Sequence, residues 1–199
     1  MPKGYNKADF AEAIGWIFET KEVKSRPCVF FSHKKEDKPK CKLIADYFKI
    51  GEIDYYLDEL DSDLQYAAAA DNAALITESI KKGIRKSTHM LVVVSSKTFS
   101  SPWVPFEVGY GHAAILDKYL DEGEKPDKLK LSILTLKDIS EQPLPDFMQV
   151  GNIIRGTKSL NEYIAKISNK EEKALVNESR IFSNTNSQHP LDEVLNWRF

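Results

Sequence analysis

Met90-Leu-Val-Val-Val94 is an unbroken apolar run rich in β-branched residues. A strand with one wet face alternates apolar and polar side chains. A run with no polar break is a strand covered on both faces, which points to the centre of a parallel sheet. The rest of the chain must then supply further strands and helices for both sides. Ser95-Ser96 closes the run, and a helix is expected from Trp103 to Leu120.

The expected partners follow in order. Cys28-Val-Phe-Phe31 reads as the first strand, ending in the polar turn Ser32-His33-Lys34-Lys35-Glu36-Asp37. Pro39 suits a first helical turn. Cys41, Ile44, Ala45 and Phe48 make a helical stripe that ends at Gly51. Ile53-Asp-Tyr-Tyr-Leu57 is the second strand, and residues 64–74 read as a small-residue loop. Ile76, Ile80 and Ile84 mark the next helix, with basic residues late, where they complement its dipole. Leu129–Leu136 is a fourth strand, Val150–Ile154 a short fifth, and Leu160–Ile167 a helix. The alternation specifies an α/β fold: an open parallel sheet of about five strands with helices on both faces. Phe10, Ile14, Ile17 and Phe18 predict a helix in an N-terminal extension, residues 1–24. Residues 25–170 form the domain, and 171–199 a tail, polar until Leu191, that packs its aromatic end on it.

Composition excludes several classes. A net charge of −2 gives no whole-protein pull toward nucleic acid or anionic lipid. Cys28 and Cys41 form no C-x-x-C pair, so neither a disulfide framework nor a zinc site is indicated. No run reaches the roughly 18 apolar residues of a membrane span. A cytoplasmic setting with no membrane or nucleic-acid partner is expected. The carboxylates Glu52, Asp54, Asp58, Glu59, Asp61 and Asp63 cluster without an intervening cation. Their spacing matches no calcium loop, so a solvated, self-repelling loop edge is expected and no metal site. Neither G-x-G-x-x-G nor G-x-x-x-x-G-K-[ST] occurs, and G-x-S-x-G and H-E-x-x-H are also absent.

In an open parallel sheet, ligands bind beyond the carboxyl ends of the strands, where strand order reverses. Ser32 and His33 follow the first strand, Asp58 the second, and Ser95 and Ser96 the third. If the first and third strands are neighbours, these groups converge. Glu107 stands four residues after Trp103, one helical turn away on the same face, and Tyr110 extends the stripe. Pro102 and Pro105 must lie in or before the first turn, which puts Glu107 near the helix N-terminus. The dipole there favours an anion by about 0.3–1 kcal/mol. Such a carboxylate can stabilise an oxocarbenium-like centre or hold a ribose hydroxyl, with Trp103 as a flat wall. A glutamate at a helix start also serves simply to complement the dipole, and a tryptophan there to pack. Lys34 and Lys35 suit a phosphate or plain solvation. Pattern alone leaves these alternatives open.

Taken together, Val29-Phe-Phe-Ser32, Tyr55-Tyr-Leu-Asp58, Ile80-x-x-x-Ile84, Val92-Val-Val-Ser95 and Ser101-x-Trp103-x-x-x-Glu107 resemble a TIR (Toll/interleukin-1 receptor) domain from about Pro27 to Gly156. The resemblance implies a flavodoxin-like sheet. The last motif is similar to that of NAD-cleaving TIR domains, in which the glutamate is catalytic. It implies cleavage of the nicotinamide–ribose bond of NAD+ as substrate, with no cofactor. Glu107 would be catalytic, and Phe31, Ser32, His33, Asp58, Ser95, Trp103 and Tyr110 would bind substrate. Stand-alone bacterial TIR proteins of antiphage defence, of the Thoeris-like kind, are similar in size. That likeness implies an ADP-ribose-derived signal for a separate effector, and a homo-oligomer built through TIR–TIR contacts. The loop after the second strand departs from the family in lacking a Pro-Gly. Two other readings compete: a non-enzymatic TIR scaffold, and a nucleoside deoxyribosyltransferase-like enzyme.

Overall fold

The structure, a computed structural model, describes residues 3–9, 26–57, 61–117, 126–139, 142–183 and 189–196. The helix expected over residues 10–18 lies outside them, as do Asp58, Glu59 and the aromatic end of the tail.

Five strands form one all-parallel sheet: β1 (Cys28–Ser32), β2 (Asp54–Tyr56), β3 (His89–Val94), β4 (Leu131–Thr135) and β5 (Asn152–Ile154). Their spatial order is β2-β1-β3-β4-β5, the doubly wound, flavodoxin-like order, which reverses between β1 and β3. In that pair Phe31 stands opposite Leu91 and Ser32 opposite Val92. The apolar run of β3 sits at the centre, flanked by β1 and β4.

Helices cover both faces. α1 (Lys38–Ile50), α2 (Ser62–Ala69), α3 (Ala73–Arg85), α4 (Trp103–Gly111), α5 (Asp146–Gln149), α6 (Thr157–Ile167) and α7 (Glu172–Asn177) follow in chain order. Side chains alternate along each strand, so the core divides in two. Val29 and Phe31 pack with Ile44 and Phe48 of α1 and Leu160 and Tyr163 of α6. Phe30, Met90 and Val92 pack with Ile80 and Ile84 of α3 and Val104 and Val108 of α4. Close approach on this second side needs glycine. A Cβ at Gly83 would stand 2.6 Å from the Tyr56 ring, and one at Gly111 would stand 2.2 Å from the Met90 sulfur.

Four local expectations are corrected. Residues 62–69 form a helix rather than a loop, because alanine is the best helix former and Asp61 accepts from the Leu64 N–H at 3.1 Å as its cap. Asp71, at φ 48°, turns the chain out of α2, and Asn72 caps α3 through the Leu75 N–H. The long helix from Trp103 is α-helical only to Gly111. It continues as one wide π turn, His112–Leu116, whose five-residue step brings His112 and Asp117 together at 2.9 Å. Glu172–Asn177, expected as polar tail, is helical and buries Leu175.

The fourth correction concerns Glu52, Asp54 and Asp61 of the acidic cluster, which are paired rather than a self-repelling edge. Glu52 takes the left-handed position after α1, at φ 63°. It pairs with Arg180, with Lys170 at 3.6 Å and with Arg26 at 3.8 Å. Buried Asp54 binds Lys7 at 3.1 Å and the Tyr5 N–H at 3.0 Å. Burial raises its pKa, and Lys7 opposes that rise. Asp61 accepts from the Tyr56 hydroxyl as well as capping α2. Among the described residues no group of three His, Cys, Asp or Glu is placed to hold a metal.

Residues 3–9 run along the outer edge of β2. Tyr5 C=O accepts from the Tyr55 N–H at 2.8 Å, and the Lys7 N–H donates to Tyr55 C=O at 2.7 Å. They cover backbone groups that an edge strand otherwise leaves open. Both cysteines are buried and free. Burial pushes the Cys28 thiol up to about 11, which keeps it protonated and unreactive. Among the described residues no helix is long and apolar enough to cross a membrane.

Candidate active site

Beyond the carboxyl ends of β1 and β3 lies a cleft of about 430 Å³. One wall is the start of α4, with Ser101, Pro102, Trp103 and Glu107. A second is the turn from β1 into α1, with His33, Lys34, Lys35 and Lys38. The third is mostly apolar, with Leu64 and Ala68 of α2 and Ile76 and Ile80 of α3, and carries one amide, Gln65.

Glu107 is the buried charge of this cleft, at 8% exposure. α4 begins at Trp103 after Pro102, so Glu107 falls in the second turn. The dipole fades within the first turn and supports this carboxylate less than the two prolines suggest. A specific contact holds it instead: the Ser32 hydroxyl donates to Glu107 Oε2. Ser32 reaches it because, two residues beyond Phe30, it points to the α3–α4 side of the sheet. The bond spans the strand reversal, joining the end of β1 to the helix that follows β3.

Trp103 lies one turn before Glu107 and lines the same cleft. Its indole is 36% exposed and braced edge-on by Phe106 at 6.1 Å, a flat apolar surface open to solvent. His33 Nδ1 lies 3.2 Å from Phe31 C=O, which fixes the ring at the cleft rim. With Lys34, Lys35 and Lys38 beside it, the mouth is cationic and the interior holds one buried carboxylate. Such a cleft can take a ligand with an anionic middle or end and present another part of it to Glu107.

Other expected binding residues lie elsewhere. Phe31 is one residue from Ser32 and therefore on the opposite face. Its ring sits in the α1 core against Phe48 at 5.4 Å and Tyr55 at 6.1 Å. Ser95 has the parity of Val93, also on the α1 side, and its hydroxyl donates to Asp37. Tyr110 shares the stripe of Trp103, but seven residues place it about 10 Å further along the axis. There its hydroxyl accepts from Arg85 at 2.8 Å and its ring stacks on Phe106, away from the cleft. Asp58 lies outside the described residues. Reading the sequence also missed Lys38, Ser101 and the α2 residues. Ser101 carried a signal: it stands before Pro102-Trp103 and accepts from the Val104 N–H at 3.3 Å, as a helix-opening serine does.

The fold and site together define an open, doubly wound α/β domain with a buried carboxylate in the crevice at its strand reversal. A family model described as TIR domain matches residues 29–142, more than half of the 199 residues. The chain belongs to the TIR-domain family. A search of curated proteins finds no match.

Proposed function

We propose that this TIR domain is an NAD+ nucleosidase of the hydrolase or ADP-ribosyl cyclase type. The observation that carries the proposal is Glu107: a carboxylate buried in the cleft, bonded by Ser32, with Trp103 one turn away. The bond between C1′ of the ribose and the nicotinamide nitrogen breaks. Its electron pair leaves with nicotinamide, which departs neutral from a cationic pyridinium. The positive charge remains on the ribose as an oxocarbenium-like centre, which a fixed carboxylate stabilises more than it does the ground state. Water then adds at C1′ and loses a proton, or a nitrogen of the same ADP-ribose closes a ring. Trp103 stacks on a flat ring of the substrate, and the lysines at the mouth face the pyrophosphate. The product serves as an ADP-ribose-derived signal in antiphage defence, read by a separate effector, and the enzyme acts as a homo-oligomer in the cytoplasm.

The test is the product profile of concentrated protein given NAD+, resolved by chromatography. Nicotinamide should appear with linear or cyclic ADP-ribose, and Glu107→Ala should abolish it while leaving the circular dichroism spectrum unchanged. Equal NAD+ loss in wild type and variant, or none in either under assembling conditions, sinks the enzyme and leaves the scaffold. Nucleoside turnover without NAD+ turnover points to a deoxyribosyltransferase-like reaction.

A further inference from the structure

A second buried carboxylate lies behind the cleft rather than in it. Asp37 is 1% exposed, at the junction of the β1–α1 turn and α1. Its Oδ2 accepts from the hydroxyl of Ser95, also 1% exposed, the first residue after β3. Its Oδ1 makes no hydrogen bond among the described residues and faces Lys40 Nζ at 3.6 Å. A carboxylate taken out of water is costly unless it is bonded. Asp37 caps no helix through its side chain.

What the pair joins gives it a role. The β1–α1 turn carries His33, Lys34, Lys35 and, just after it, Lys38; the β3–α4 loop carries Ser101 and Pro102 and leads into Trp103, the first residue of α4. These are two of the three cleft walls, and they lie on loops that leave the paired strands β1 and β3 beyond the last register pair, Ser32 and Val92. Each end of the Asp37–Ser95 bond is itself locked. The Asp37 N–H donates to Lys34 C=O at 2.8 Å, tying the carboxylate to the lysine turn. Ser95 Oγ accepts from the Lys97 N–H at 3.1 Å, and the Ser95 N–H donates to Thr98 Oγ1 at 2.9 Å. On the outside, Lys34 Nζ donates to Ser100 Oγ at 3.2 Å, a second link between the same loops, exposed and therefore weak.

We infer that Asp37 and Ser95 are a positioning pair: buried behind the cleft, they set the spacing between its lysine wall and its Trp103 wall and thereby govern substrate affinity without touching substrate. The kinetic readout rests on the NAD+-cleaving reading above. Glu107 is held separately by Ser32, so loss of the pair misplaces binding groups and spares the reacting carboxylate.

The experiment compares steady-state NAD+ cleavage by Asp37→Ala, Asp37→Asn and Ser95→Ala. Asp37→Ala should raise KM by about ten- to a hundredfold, the scale of a loop displaced by an ångström, with kcat within about threefold of wild type. Asp37→Asn keeps an acceptor oxygen for Ser95 and should restore KM to within about threefold. Wild-type KM in Asp37→Ala, or a fall in kcat at unchanged KM, overturns the inference. Should Asp37→Ala fail to fold, Ser95→Ala, which removes one hydroxyl, must raise KM in the same way or the inference fails. If the wild type cleaves no NAD+, the enzymatic reading falls, and amide exchange decides the pair independently. Faster exchange at both 33–38 and 96–101 in Ser95→Ala supports the link, and unchanged exchange in either loop overturns it.

Discussion

The two faces of the sheet are built from the same five strands and end differently. On the α1–α6 face the core is closed. Leu191, Val194 and Leu195 from the end of the chain pack over it, as do Leu175 and Ile181. At its hub the Tyr47 hydroxyl is fully bonded: it donates to Asn161 at 2.8 Å and accepts from the Phe182 N–H at 2.9 Å and from His189 Nε2 at 3.1 Å. On the α3–α4 face the corresponding end is left open, and there the chain keeps Glu107, to which the Ser32 hydroxyl donates. The comparison teaches that a buried polar group is stabilising where its network is complete and is available for chemistry where a cleft reaches it.

Phe31 and Ser32 test this division most sharply, being adjacent residues on opposite faces. Phe31→Ala should cost about 3–5 kcal/mol of stability, the range for emptying an aromatic site in a core, read as a fall in denaturation midpoint at unchanged slope. If Phe31→Ala instead kept full stability and lost substrate affinity, the ring would belong to the cleft and the assignment of faces would be wrong. The converse variant, Glu107→Gln, should lower kcat for NAD+ by about 10²–10³-fold, the scale measured for loss of one preorganised electrostatic group. It should leave the melting temperature close to wild type, because the amide keeps an acceptor for Ser32. A large stability change with intact turnover would move Glu107 to the structural side.

Much of this division is legible in the sequence. The unbroken Met90–Val94 run demanded a covered parallel strand, and the alternating elements demanded two helical layers. The Trp103–Glu107 spacing placed both residues on one turn, as found. Strand parity was legible too: the alternation along β1 separates Phe31 from Ser32, and that along β3 turns Ser95 away from the cleft. The partners of the acidic cluster were not legible, because Arg26, Lys170 and Arg180 reach Glu52 only after folding. Nor was α2, whose alanine run reads as a small-residue loop but forms a helix capped by Asp61 and followed by Asn72, the cap of α3. The docking of the tail rests on the bonds of Phe182 and His189 to Tyr47, over a hundred residues away in sequence, and of Phe182 C=O to Asn161, which no local pattern announces.

The closed face can be probed at its hub. Tyr47→Phe keeps the ring and removes the hydroxyl, leaving buried Asn161 and the Phe182 N–H each short of a partner. The expected cost is about 1–3 kcal/mol, the penalty for a stranded buried polar group. Amide protection at Leu191, Val194 and Leu195 should fall, while NAD+ turnover stays at the wild-type value. A matching loss of turnover would mean that the two faces are coupled.

The smallest effect expected is a pH dependence confined to the same face. The Leu191 N–H donates to His189 Nδ1 at 3.2 Å, so this nitrogen carries no proton, and Nε2–H donates to the Tyr47 oxygen. Burial lowers the His189 pKa below its ordinary value of 6.5, against the opposing pull of Asp192. The folded chain therefore binds this proton less readily than the unfolded chain. The stability from the neutral ring is fully present above 6.5, is lost as pH falls below that value, and levels off once the pH passes below the lowered folded value. Protonated Nδ1 would face the Leu191 N–H with no acceptor to offer. Amide exchange at 191–195, corrected for intrinsic rates, should thus rise between about pH 7.5 and about pH 5.5 in wild type. It should stay flat in His189→Gln, which has no titrating ring; an equal rise in both would assign the effect to other groups and leave the closed face insensitive to this proton.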